Sequence, residues 1–505
     1  MQEVELVEDD GSSDDARADV PPCDPSAADD DPARPGGWRR WSRRRRVVAA
    51  ALVVLVAGSV VAVETAGAAR ERARLAVLAA HPGVAPRLDG PPETLWTASS
   101  RLLDVDVRTP QGLLVGIEQD DLTGDGQADL GTPVTVWAVD ATTGATAWRV
   151  EVLDPPDLTP PDGLSMHTDW SRCVAHPGDG SLVVCLAHDA FSVYDEETST
   201  RTPASTRRLV VLDTADGSVV SDLSDVADAA ETLTVVGDLL VLGSATGDQV
   251  TVTALTTDAA VSWTRTLTSG TSGDRLRVEA LDDVVVVTTS DAVVLLDAAG
   301  EELRRRDLPE GTSAWVMPDG VYVILRHVGE EGGDGLIFPL ERRSVLLTAD
   351  GEQHLDGYPF AALDDGSVPG LVLSVDDELH ARGPDGREQW SRETAGADNG
   401  VVLDGRVHMV DGTDVLTLDA RTGAELWRHP VGSGVSLLTD GRRVLVVDTA
   451  STDGSEIAAL DRGDGSVVWR GPLPAGTQWV QAYLGLLVAY DYWDGEGHQE
   501  IMVLG

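Results

Sequence analysis

The sequence predicts an all-β protein, a β-propeller of four-stranded blades preceded by one membrane-spanning helix. Three observations carry that prediction. A short phrase, an apolar strand followed by Asp-x-x-x-Gly-x-x-x-Trp, recurs down most of the chain. Its recurrences are spaced like blades. One long uncharged segment stands between these repeats and an arginine-rich flank.

The phrase reads VTVWAVDATTGATAW at Val134–Trp148, VLTLDARTGAELW at Val415–Trp427 and IAALDRGDGSVVW at Ile457–Trp469, with a weaker copy, LVVLDTADGSVVS, at Leu209–Ser221. Val/Leu-rich runs of this length form buried strands, and the Asp-x-x-x-Gly connector has turn chemistry: Asp bonds the turn backbone and Gly accepts a positive φ. The Trp then falls on the next strand, where its ring can wedge between neighbouring units. The glycines run Gly144, Gly217, Gly300, Gly351, Gly386, Gly423 and Gly465, and from Gly300 onward the intervals are 51, 35, 37 and 42 residues. The longer gap between Gly217 and Gly300 hides a degenerate copy, Val250–Trp263. Trp96, Trp148, Trp263, Trp390, Trp427 and Trp469 are the expected wedges; units with Ser221, Arg304 or Leu355 in that slot are expected to lack one.

The Asp-Ala-x-Thr-Gly-x-x-x-Trp phrase, intact at Asp140–Trp148 and Asp419–Trp427, resembles the tryptophan-docking repeat of PQQ-like quinoprotein propellers. That superfamily includes pyrroloquinoline-quinone alcohol dehydrogenases and the propeller lipoprotein of the outer-membrane assembly machine. The likeness covers roughly Pro91 to Gly505 and implies a propeller domain over 91–505. Eight units carry the turn phrase and a half-unit, Glu500–Gly505, ends the chain, so a literal count gives nine blades. The family's habit is eight, which is the expectation adopted. The last strand has no Trp strand after it. Thr94-Leu95-Trp96 is placed to supply one and close the ring, removing an exposed sheet edge.

The start of the chain is built in blocks. Residues 1–37 hold twelve acids against Arg17 and Arg34, a composition too polar to fold, and are read as a disordered cytoplasmic tail. Residues 38–46 add six arginines with Trp38 and Trp41. Val47–Val63 follows as seventeen uncharged residues, about 25 Å of helix, the short end of a membrane span. Arginines on one flank keep that flank cytoplasmic and put the propeller outside. The rival reading is a cleaved export signal, since small residues follow at Ala66–Ala69; the acidic tail and the length of the apolar run argue against it. Residues 64–90 read as a helical stalk ending at His81-Pro82 and then a linker.

Every one of the 38 basic residues is arginine. From residue 64 onward 73 acids face 30 arginines, a net charge of −43 that repels nucleic acid and other polyanions. Cys23 falls in the tail. Cys173 and Cys185 flank Pro177–Ser181; a five-residue loop there pairs 176 with 182, 174 with 184 and 173 with 185, within reach of a disulfide. Two buried free thiols are the alternative.

The sharpest chemical motif is Asp121-Leu-Thr-Gly-Asp-Gly-Gln-Ala-Asp129. Asp121, Thr123, Asp125 and Asp129, with the Gln127 carbonyl and Gly126 at the sharp turn, reproduce the first part of a calcium loop and resemble that of integrin-type propellers. Thr123 in place of a second Asp, and the lack of a closing Glu, point to weak affinity; an acidic hairpin loop is the bland reading. A quinoprotein dehydrogenase needs, by the resemblance, a quinone pocket on the propeller axis, calcium held by Glu, Asn and Asp, and an Asp base. The alcohol dehydrogenases of the type add adjacent cysteines. Here no cysteines are adjacent and the sole Asn is Asn399. No catalytic or quinone-binding residue is therefore assigned, and PQQ is not expected.

His167, His176 and His188 near the cysteine hairpin form no metal motif, and Arg462-Gly463-Asp464 falls where the repeat's turn demands Gly and Asp anyway. The expected function is a non-catalytic protein- or ligand-binding scaffold at a bacterial cell envelope. A quinone- and calcium-dependent dehydrogenase is the alternative, and an envelope sensor the third.

Overall fold

The computed structural model describes residues 67–69, 71–72, 74–76, 78 and 81–505, apart from 100–104, 119–132, 155–164, 169–170, 195–198, 228, 271–275, 310–311, 318–319, 327–341, 361, 397–399, 451–453 and 492–499. The expected tail, arginine segment and Val47–Val63 helix lie outside these. Among the described residues, no helix is long and apolar enough to cross a membrane.

The repeats fold into antiparallel sheets, and the described residues form nine blades rather than the eight expected. Blades 1 to 9 occupy 105–153, 172–222, 232–268, 277–307, 313–356, 358–393, 400–430, 435–472 and 479–504. The count is fixed by packing as well as by pairing. Nine apolar clusters each join one blade to the next, and the last joins blade 9 to blade 1 through Val488, Ile501, Leu114 and Val139. An eight-fold ring leaves one of these faces unpartnered. The literal count of turn phrases was the better guide than the family's habit.

Within a blade, the middle strands are buried on both faces and read as continuous apolar runs, as at Ala292–Leu296 and Val134–Asp140. Outer strands alternate, as at Glu302–Asp307. Thr94–Ser99 pairs antiparallel with Glu500–Leu504 as the fourth strand of blade 9, so the chain's own ends close the ring. Two elaborations depart from the plain repeat. Ala362–Asp364 adds a parallel strand beside Gly400–Leu403 of blade 7, and Ser165–Thr168, Phe191–Tyr194 and Ser199–Thr202 form a small separate sheet.

The recurring turn works as its residues dictate. Asp140 Oδ1 accepts from the Thr142 and Thr143 amides (3.0 and 2.8 Å) and the Thr143 hydroxyl (3.0 Å), and Asp419 repeats this with Arg421 and Thr422. Donation from Thr143 holds the Asp140 carboxyl below its usual 3.8. The glycine that follows takes a positive φ, 69° at Gly144 and 72° at Gly465.

Over these glycines lie the tryptophans. Trp96, Trp148, Trp263, Trp390 and Trp427 each cover the turn glycine of the next blade, where a Cβ would sit 2.5–2.7 Å from the ring. Each indole donates to a carbonyl of that turn: Ala141, Thr214, Ala298, Ala420 and Arg462 at 3.2, 2.8, 2.9, 3.0 and 3.3 Å. Trp469 packs against the core between blades 8 and 9, and its Nε1 has no partner among the described residues.

The units without tryptophan are repaired in different ways. Arg304 donates to the Thr348 and Ala349 carbonyls of blade 5, supplying the indole's hydrogen bond with a guanidinium. Leu355 is buried with Tyr322, Leu346 and Val372 between blades 5 and 6. Ser221 covers nothing comparable, and the next blade's turn carries Ala259 at φ 63° where its siblings carry glycine. Neither the Arg304 nor the Leu355 side chain covers the next turn glycine as an indole does: a Cβ at Gly351 meets nothing within 4 Å, and at Gly386 the nearest atoms are those of Gln353 at 3.5 Å, so these units lack the wedge as expected and compensate elsewhere.

The helical residues Glu71, Arg74 and Leu78 lie against blades 7 and 8. Leu78 is buried with Trp427, Val435 and Leu437. Arg74 reaches Asp365 Oδ2 (3.1 Å), the Gly441 carbonyl (2.7 Å) and Glu71 (2.6 Å). The Asp365 side chain is fully buried. The chain continues along the ring, with the Ala85 amide on the Thr439 carbonyl and Ala85 and Leu88 in the core between blades 8 and 9.

Candidate functional site

In blades 1 to 5, and again between 7 and 8, the first strand of one blade touches the first strand of the next, so these strands line the axis. One of them carries an exposed aromatic, Trp315 on Ser313–Met317, 46% exposed; Trp479, 47% exposed, opens Trp479–Tyr483, the first strand of blade 9, which takes the matching edge position in its own sheet. Large aromatics left in solvent on a rigid frame are the residue type that anchors protein interfaces. Their spacing matches no repeat position, so sequence reasoning passed over them; the available signal was a Trp on the opening strand of a unit.

The axial strands also carry the disulfide. Cys173 and Cys185 are bonded, with Cα atoms 4.0 Å apart, and pair directly across Arg172–Ala175 and Leu182–His188. Both are buried. The Cys173 amide donates to Asp106 Oδ2 of blade 1 at 2.7 Å, tying the first strands of blades 1 and 2. Burial pushes the Asp106 carboxyl up to about 6 from 3.8, against the opposing pull of the Cys173 amide and Arg172. A pKa raised in the folded state gives stability that is complete below about pH 4 and lost as pH rises through 6. Asp106→Asn, which keeps the acceptor and removes the charge, is therefore expected to melt increasingly above the parent protein between pH 4 and 7. The difference reaches at most about 3 kcal/mol. Melting curves that stay parallel across that range contradict the assignment.

The other sequence-derived candidates divide as follows. The Asp121–Asp129 loop lies outside the described residues. His176 caps its own hairpin by accepting from the Gly178 amide (3.2 Å), and His188 is buried. His408, buried beside Trp427 with ring centroids 5.6 Å apart, contacts the Thr417 hydroxyl at 2.7 Å. Burial drives its pKa down to about 3, a core histidine held neutral. Among the described residues, one group has ligand atoms close enough to hold a metal: Asp356, His380 and Glu388. No motif spacing announces it, because its members come from two blades.

A family profile described as "Outer membrane protein assembly factor BamB" matches residues 134–321 and 352–489. No curated protein matches the chain. Solved structures with a related fold include BamB from Moraxella catarrhalis, 15% identical over 82% of this chain and 99% of that one, with a TM-score of 0.38. Hsv2 from Kluyvelomyces marxianus is 11% identical over 55% of this chain and 97% of that one, with a TM-score of 0.30. The propeller domain of the Trilobed protease from Pyrococcus furiosus is 11% identical over 59% and 97%, with a TM-score of 0.26. Likenesses this distant carry no argument of their own. The profile, which spans well over half of the sequence and coincides with the docked-tryptophan blades, does: the chain belongs to the BamB-like family of PQQ-like β-propellers.

Proposed function

We propose that this protein is a membrane-anchored scaffold of the cell envelope whose propeller binds a protein partner at its axial face, without catalysis. The observation that carries the reading is the pair of exposed tryptophans on the first strands of their blades, Trp315 and Trp479. Family membership supports it, since the matching profile is described by an assembly role. In this reading Val47–Val63 is the single-pass anchor, residues 1–37 lie in the cytoplasm and the propeller lies outside. The strongly acidic propeller takes no nucleic acid, and a calcium ion in the Asp121–Asp129 loop is structural.

A photo-cross-linking amino acid placed singly at positions 315 and 479 of the full chain tests this in cells. Discrete cross-linked species are expected at both positions and not at Val219 or Val261, exposed residues of outer strands. Equal yields at axis and rim, or none at the axis, contradict an axial docking face.

A further inference from the structure

At the junction of blades 5 and 6, three strands gather a cluster of acidic and basic side chains. Asp356 ends the outer strand of blade 5; His380 and Arg382 lie on Glu378–Arg382 and Glu388 opens the last strand of blade 6. The ligand atoms of Asp356, His380 and Glu388 all lie within 4.8 Å of one another. His380 Nε2 is 3.2 Å from Asp376 Oδ1, and Nδ1 is 3.0 Å from Glu388 Oε2.

That geometry has a chemical consequence. A neutral imidazole has one N–H and one lone pair. With a carboxylate oxygen against each ring nitrogen, either tautomer turns a lone pair onto a negative charge. The arrangement needs one more positive centre, a second proton or a cation. Arg382 already supplies part of the missing charge: its Nη2 is 2.6 Å from Asp356 Oδ2 and 3.6 Å from Glu388 Oε2. It does so imperfectly, because its Nε is buried with no hydrogen-bond partner among the described residues.

We propose that Asp356, His380 and Glu388 form a binding site for a divalent cation of the zinc class, for which Arg382 is the built-in competitor. One imidazole and two carboxylates suit such a borderline cation and leave a fourth position open. Asp376 is the orienting group: a carboxylate on the far ring nitrogen fixes the tautomer that presents Nδ1 to the metal. This inference is independent of the axial docking face.

Calorimetric titration of the full chain with Zn²⁺ alone tests it, with Co²⁺ absorption as a second readout of ligand geometry. The parent protein is expected to show a saturable phase that His380→Ala abolishes and Asp376→Asn weakens by about 10–100-fold. Arg382→Gln is expected to tighten it on the order of tenfold, because the competing charge is gone. Equal melting temperatures of all variants in chelator establish that each is folded. Zinc binding that is absent, or that persists in His380→Ala, overturns the site, the latter as adventitious uptake by an acidic surface. Weaker binding in Arg382→Gln overturns the competitor role.

Discussion

Trp427→Ala is expected to destabilise the propeller by about 3–5 kcal/mol, the range for deleting a large buried aromatic. Trp427 is 9% exposed, lies in the core between blades 7 and 8, donates to the Arg462 carbonyl and covers Gly465. The sharper expectation concerns its partner. In the parent protein Gly465→Ala meets two penalties, a φ of 72° and a Cβ placed 2.5 Å from the indole Cε3. In the Trp427→Ala background the clash is gone and only the left-handed backbone remains, about 1–2 kcal/mol. Gly465→Ala should therefore be less costly in the variant than in the parent, which a denaturation double-mutant cycle measures. Strict additivity contradicts the docking account.

Arg74→Met is expected to cost about 3–5 kcal/mol, because it leaves the fully buried Asp365 carboxylate without its cation. Asp365 keeps the Ser367 and Asp404 amides (2.9 and 2.7 Å), which orient the carboxylate without neutralising it. The same change frees the Gly441 carbonyl. Adding Asp365→Asn removes the stranded charge, so the double variant should be more stable than Arg74→Met alone. A double variant as unstable as the sum of the two singles shows that Arg74 acts through packing alone.

The blade phrase was readable because its chemistry is local. A turn Asp, a left-handed Gly and a docking Trp stand within nine residues, and the closing strand at Thr94 follows from the unpaired Glu500–Leu504. The disulfide was readable for the same reason, since a short hairpin fixes the pairing of 173 with 185. What was not readable depends on distance or on compensation. Arg74 meets Asp365 across 291 positions of sequence, and nothing near either residue announces the other. Arg304 breaks the tryptophan pattern yet keeps its hydrogen bond, a replacement visible only once Thr348 is seen beneath it. The His380 cluster draws on Asp356 and Glu388, whose spacing belongs to no metal motif. Blade number went astray where a family habit was set against nine countable units.

The central claim is that this quinoprotein-type frame serves as a binding scaffold. The most direct test is the melting temperature of the purified full chain in chelator, in calcium, and in calcium with PQQ. A ligand at a hundred times its dissociation constant adds about 2.7 kcal/mol, enough to move the transition by degrees. The account predicts no further rise when PQQ is added to the calcium sample. A PQQ-dependent rise of several degrees contradicts it and returns the propeller to the dehydrogenases.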